Sequence, residues 1–174
     1  MKNQRILRSL VLALSAAWAG GCDVNAVPSS ETFKKQAGVV PEGRRLVDAG
    51  RGHIWSLTSE GLVLQQISSV GLRHIALPGW IKAGPPFGFE PSLVPGPGGD
   101  ILVTSDVMPV IWRVDQRTLA VSVHPLALDA HQDKDVGFTN LVYLPREAAF
   151  VATSRSPTAR WRIDAALTRA EIIR

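Results

Sequence analysis

The densest set of side chains that could hold a metal ion begins at Asp129. Asp133 and Asp135 follow, with His131 among them. Such carboxylates can converge on a calcium ion, because Ca²⁺ prefers oxygen ligands. An EF-hand loop is excluded, since Lys134 stands where that loop requires glycine. We expect a solvated loop between two strands here, and a site for calcium or another divalent cation is the alternative.

The sequence contains none of the common catalytic motifs. G-x-S-x-G, H-E-x-x-H and C-x-x-C are all missing, and the four histidines are scattered along the chain. A triad assembled from any histidine, serine and aspartate has no weight, so the sequence favours a protein that is not an enzyme.

The single cysteine, Cys22, follows an export signal. Lys2, Arg5 and Arg8 are the only charged residues before it, and residues 9–19 form an apolar run. A basic start, a short apolar stretch and small residues before the cut are typical of a secretory signal peptide. The apolar run is far shorter than the roughly 20 residues that a spanning helix needs.

The last four residues of this segment, Ala19-Gly20-Gly21-Cys22, resemble the lipobox of bacterial lipoproteins, although that family usually has leucine at the position of Ala19. The resemblance implies removal of residues 1–21 as the signal peptide and acylation of Cys22, which would then anchor the protein in a membrane. An ordinary secretory peptide is the alternative. Asp23 resembles a signal for retention at the periplasmic face of the inner membrane.

The charge of the mature chain argues against nucleic acid as a partner. Removal of residues 1–21 takes away three of the 19 basic residues and none of the 15 acidic ones, so the remaining charges nearly balance. The polar residues 22–44 are expected to form a tether, and residues 45–174 a single domain.

Short apolar runs with turn residues between them indicate an all-β domain. Twelve strands are predicted, in three groups of four. The first group is Arg45–Asp48, His53–Thr58, Leu62–Ile67 and Leu72–Leu77. The second is Ser92–Pro95, Asp100–Ser105, Val110–Asp115 and Ala120–Leu126. The third is Asn140–Leu144, Ala149–Ser154, Arg160–Asp164 and Thr168–Ile173.

The three groups also resemble one another in sequence. Leu46-Val47 recurs as Leu93-Val94 and Leu141-Val142, and Trp112-Arg-Val-Asp115 recurs as Trp161-Arg-Ile-Asp164. Four-strand repeats of roughly 40–50 residues are typical of propeller blades. Residues 45–174 therefore resemble the NHL, kelch-like and gluconolactonase-like propellers. The expected fold is a partial propeller-like array of three four-stranded antiparallel units, and a β-sandwich is the alternative.

Three repeats are fewer than a closed propeller needs. The sequence leaves three explanations open. The chain is a fragment of a longer ancestor, several copies assemble to close the ring, or the three units fold into a compact sandwich.

The resemblance also bears on site residues. Gluconolactonase-like propellers hold a divalent cation with a glutamate and an asparagine, which implies Glu90 and Asn140 here. The repeated Trp112 and Trp161 are expected to pack between blades, and Asp115 and Asp164 to close turns.

The sequence thus predicts a membrane-anchored periplasmic lipoprotein that acts as a binding or scaffold module. Its partner would be an envelope protein or a second copy bound at an open blade edge. A lactonase-like hydrolase dependent on a divalent metal, or an inactive truncated remnant, is the alternative.

Overall fold

The computed structural model describes residues 44–83, 90–129, 135–155 and 158–174. These residues form thirteen β-strands and no helix, which confirms the all-β class. In this part of the chain, no helix is long and apolar enough to cross a membrane. The signal peptide, Cys22, Asp23 and the tether up to residue 43 lie outside the described residues.

The strands form three sheets, and each sheet contains an antiparallel meander of four strands. The first sheet contains β1 (Arg45–Asp48), β2 (His53–Thr58), β3 (Gly61–Gln66) and β4 (Leu72–Ile75). The second contains β5 (Leu93–Pro95), β6 (Ile101–Thr104), β7 (Val110–Val114) and β8 (Val121–Pro125). The third contains β10 (Thr139–Leu144), β11 (Ala149–Arg155), β12 (Thr158–Asp164) and β13 (Arg169–Ile172), together with β9 (Ala127–Leu128). All twelve predicted strands are present, with small shifts at their ends.

The third sheet corrects one expectation, because it has five strands and not four. The connection from the second sheet runs along the outer edge of β13, and β9 pairs with it in parallel. Ala127 N donates to Thr168 O at 2.9 Å, and Asp129 N donates to Ala170 O at 3.2 Å. A strand of two residues is too short to show an alternation of apolar and polar residues. The pairing of β9 therefore depends on where the connection runs and not on a sequence pattern.

The second sheet lies between the other two and is covered on both faces. Side chains on a strand alternate between faces, so Ile101 and Val103 pack toward the first sheet while Leu102 packs toward the third. All four residues of β6 are buried. This explains why β6 has a continuous apolar run instead of an alternating pattern.

Two hydrophobic cores result. The first core lies between the first and second sheets and is centred on Trp55, Leu57 and Trp112. The second core lies between the second and third sheets and includes Phe150 and Trp161. Packing on both sides of one sheet ties the three repeats into one structure.

The sheets also meet at their first strands, because β5 contacts both β1 and β10. The segment before β10 adds to the junction of the second and third sheets. Val136 and Phe138 are fully buried in the second core, and Phe138 N donates to Ser105 O at 2.7 Å. Between them, Gly137 lies directly against the Asp106 backbone.

Candidate functional site

The side chains of Glu90 and Asn140, implied as metal ligands by resemblance, have other partners. The Glu90 carboxylate lies 3.9 Å from an Arg44 guanidinium nitrogen. The Asn140 amide donates to Thr153 Oγ1 at 3.2 Å. The two segments are joined, since Thr139 Oγ1 donates to the Glu90 carbonyl oxygen at 3.0 Å. The structure thus places these residues in neighbouring segments, each side chain beside a protein partner.

The acidic loop is described only in part. Asp129 lies beside the outer edge of the third sheet, where its carboxylate accepts a hydrogen bond from Ile172 N at 3.1 Å. Asp135 is exposed, and Asp133 and His131 lie outside the described residues. Among the described residues, no three His, Cys, Asp or Glu side chains are grouped so as to hold a metal ion.

The repeated aspartates organise the turns at the ends of β7 and β12. Asp115 Oδ1 accepts hydrogen bonds from the amides of Arg117 and Thr118, both at 2.8 Å. Asp164 Oδ1 accepts from the amides of Thr168 at 2.8 Å and Arg169 at 2.7 Å. Bonds from a carboxylate to nearby backbone amides fix a turn without any metal.

These bonds also shift the acidities of both aspartates. The amides of Thr118 and Arg117 hold the pKa of Asp115 below its ordinary value of 3.8. Burial by itself would raise the pKa of Asp164, but bonds from Thr168 and Arg169 outweigh it and lower the pKa. Both carboxylates are therefore charged at neutral pH.

Each of these turns contains a leucine in the left-handed conformation. Leu119 has a φ of 58° and Leu167 a φ of 57°, and each is buried in a hydrophobic core. A left-handed backbone is unfavourable for leucine. Burial of the leucine side chain compensates for this backbone strain. The aspartate and the leucine therefore both stabilise the turn that leads into the last strand of the sheet.

The repeated tryptophans lie inside the cores. Trp112 is 1% exposed and Trp161 fully buried. Trp112 Nε1 donates to Pro78 O at 2.8 Å, which links the first two sheets, and Trp161 Nε1 donates to Ser154 Oγ at 2.7 Å. Their rings face protein rather than solvent, so they offer no platform for a ligand.

One serine and one histidine lie within hydrogen-bond distance on β8. Ser122 Oγ is 2.9 Å from His124 Nε2. Burial, and then the nearby charge of Arg113, lower the pKa of His124 below its ordinary value of 6.5. Among the described residues, no carboxylate is bonded to the other ring nitrogen. The pair lacks the group that orients the base in a catalytic triad.

The turns of the first two sheets enclose a polar pocket of about 290 Å³. Three arginines line this turn pocket, each supplied by a different part of the chain. Arg51 comes from the turn between β1 and β2, Arg113 from β7, and Arg117 from the turn between β7 and β8. The remaining wall residues are Gly98, Gly99, Asp100, Asp115 and Gln116.

Two of the three arginines are held in place by aspartates. Arg113 donates through Nε and Nη2 to the largely buried Asp100. Arg51 donates to Asp48 at 3.1 Å and lies over Gly99, where an added Cβ would be 3.1 Å from Arg51 Nη2. The Arg51 bond, assisted by one from Gln116, keeps the pKa of Asp48 below 3.8. Glycine at position 99 thus leaves room for a guanidinium.

A second, adjoining pocket of about 210 Å³ lies between the second and third sheets. It shares Gly98, Asp100 and Arg113 with the turn pocket. Its other wall residues are mostly apolar and are Gly96, Pro97, Leu102, Phe150, Ala165 and Leu167. The Arg113–Asp100 pair therefore separates a polar space from a more apolar one.

Sequence reasoning did not single out the turn pocket, although one signal pointed toward it. Arg113 and Arg162 occupy the same place in the two Trp-Arg-x-Asp repeats. Each pairs with an acid from its own sheet, Arg113 with Asp100 and Arg162 with Glu147, the latter at 3.5 Å. The repeated arginine indicates a repeated ion pair within each sheet. Only the packing of the first sheet on the second brings Arg51 to the pocket that Arg113 lines.

None of the protein-family models, curated proteins and solved structures compared with this chain matches it.

Proposed function

We propose that this chain is a lipid-anchored protein of the bacterial cell envelope that binds a ligand at the turn pocket. The convergence of the turns of two sheets on one arginine-lined pocket is the observation that supports binding. Among the described residues, no carboxylate is bonded to the Ser122–His124 pair, so we propose no catalytic role for it.

The scaffold of this module is a partial propeller in our proposal. Three four-strand meanders follow one another, the middle one is covered on both faces, and the first strand of the second sheet contacts the first strands of both others. Contact between first strands is expected when blades are arranged around a common axis. Such a scaffold presents its turns together at one end, which is where the turn pocket lies.

The proposed anchor is the acyl chain on Cys22, supported by the lipobox-like residues before it. Asp23 favours the periplasmic face of the inner membrane. Residues 23–44 would then serve as a polar spacer between the lipid and the first strand. In this arrangement the protein stays attached to the membrane while its turn pocket is exposed to the periplasm.

The anchor is tested by metabolic labelling with a radioactive fatty acid. We expect label on the intact protein and none on Cys22→Ser, because only the thiol accepts the diacylglyceryl group. Ser30→Ala, a small change outside the lipobox, is the matched control and should be labelled normally. Equal labelling of Cys22→Ser, or an unlabelled intact protein, would overturn the proposed anchor.

A further inference from the structure

We infer that the turn pocket binds a small anion that carries a phosphate or carboxylate group, with the rest of the ligand extending into the adjoining pocket. The inference rests on the proposed binding function and names the chemistry of its ligand. The primary observation is that three arginines line a pocket of about 290 Å³. The planar guanidinium group presents its N–H donors in a fork that matches two oxygens of a carboxylate or phosphate.

The arginines retain donors after their protein contacts are made. A guanidinium has five N–H donors in a fixed fork. Arg113 uses Nε and one terminal nitrogen on Asp100, and Arg51 uses Nη1 on Asp48. The Arg51 and Arg113 side chains are about half exposed. Both are therefore fixed on one side and open to solvent on the other, which is the arrangement that a pre-organised anion site requires.

The aspartates of the wall are occupied by protein donors. Asp115 accepts hydrogen bonds from two backbone amides, which compensate its charge more than the nearby Arg117 guanidinium does. Asp100, the other aspartate of the wall, accepts bonds from Nε and Nη2 of Arg113. Carboxylates compensated in this way repel an incoming anion less than free ones would.

One polar atom of the wall residue Gln116 has no hydrogen-bond partner among the described residues. This atom is Oε1, and it is buried. An unpaired buried acceptor costs about 1–3 kcal/mol.

The adjoining pocket indicates the shape of the rest of the ligand. It begins at the Arg113–Asp100 pair and is lined beyond it by Leu102, Phe150 and Leu167. A compact apolar group attached to the anion fits this sequence of polar and then apolar walls. Phosphate monoesters and carboxylates with a short apolar body belong to this class, whether they are soluble metabolites or lipid headgroups.

The experiment titrates the full-length protein in detergent with phenyl phosphate and, separately, with inorganic phosphate, by calorimetry. We expect saturable binding of phenyl phosphate that is tighter than that of inorganic phosphate. Arg117→Gln should weaken the binding by about tenfold or more, because it removes a charged donor without touching the amides that fix the turn. Arg146→Gln removes the same charge from an exposed turn of the third sheet and should leave the affinity unchanged.

Several outcomes would overturn the inference. They are the absence of saturable binding of either anion, equal weakening by Arg117→Gln and Arg146→Gln, or no advantage of phenyl phosphate over phosphate. Flotation of the Cys22→Ser protein with phosphatidylglycerol vesicles separates the two sources of ligand. Flotation that Arg117→Gln abolishes would identify the anion as a lipid headgroup, and phenyl phosphate binding without flotation would identify a soluble ligand. Loss of fatty-acid labelling would overturn the anchor and leave the titration unaffected, so the two proposals fail separately.

Discussion

Individual buried tryptophans in this protein differ in how well their polar atoms are satisfied. Trp55 and Trp112 lie in the same core with at most 1% of their surface exposed. Trp112 Nε1 donates to Pro78 O, whereas Trp55 Nε1 has no acceptor among the described residues. Equal burial of the two rings therefore does not mean equal stabilisation.

This difference predicts the effect of replacing each ring by phenylalanine. Trp112→Phe should lower the free energy of unfolding by about 1 kcal/mol more than Trp55→Phe, since it leaves the Pro78 carbonyl unpaired, while Trp55→Phe removes a donor that was already unpaired. Both substitutions lose similar apolar area, so each is the control for the other. Urea unfolding followed by circular dichroism measures the difference, and an equal or larger loss for Trp55→Phe would contradict the expectation.

At the scale of elements, the junction between the second and third sheets depends on a close backbone approach. Gly137 lies against the turn between β6 and β7, and a Cβ there would overlap the Asp106 carbonyl and come within 2.6 Å of Val107 N. The residues on both sides, Val136 and Phe138, fill the second core. Any displacement of this segment would pull two apolar side chains out of their positions.

Gly137→Ala is therefore expected to destabilise the protein by about 3 kcal/mol or more. The Gly71→Ala control adds the same methyl group in the turn before β4, where the nearest atom is 3.9 Å away and φ is not positive. It should change stability by less than about 1 kcal/mol. Urea midpoints of the two variants give the comparison, and similar midpoints would show that the approach of Gly137 to Asp106 is not a fixed feature.

At the scale of the whole molecule, the outer face of the third sheet argues against ring closure by a second copy. Arg169 Nε lies 3.0 Å from Glu171 Oε1, and Arg162 pairs with Glu147, with all four side chains about half exposed. A neighbouring blade would bury these pairs, and desolvation of charges costs more than their attraction returns unless the geometry is excellent.

We therefore expect the Cys22→Ser protein to be a monomer by size-exclusion chromatography with light scattering. The double variant Arg162→Val with Glu171→Val makes the same face apolar, beside the half-exposed Val142, and should self-associate. A dimer of the Cys22→Ser protein would instead indicate that two copies bury this face and complete a ring of six sheets.

Much of the β-structure was predictable because it depends on local patterns. Apolar runs separated by glycine, proline and aspartate located the strands, and the repeated Trp-Arg-x-Asp motif marked equivalent strands in the second and third sheets. The pairing of β9 was not predictable, because two residues contain no period and their partner is distant in sequence.

The sequence by itself determined the all-β class, the three groups of strands, and the lipobox-like segment on which the proposed anchor depends. These features are read from neighbouring residues, so they need no knowledge of contacts. The tertiary structure alone decided that the middle sheet is covered on both faces and that Arg51, Arg113 and Arg117 line one pocket. It also showed that Glu90 and Asn140 have separate partners. These features depend on how one sheet packs on the next. Packing brings together residues that are distant in the sequence, and no local sequence pattern shows which ones will meet.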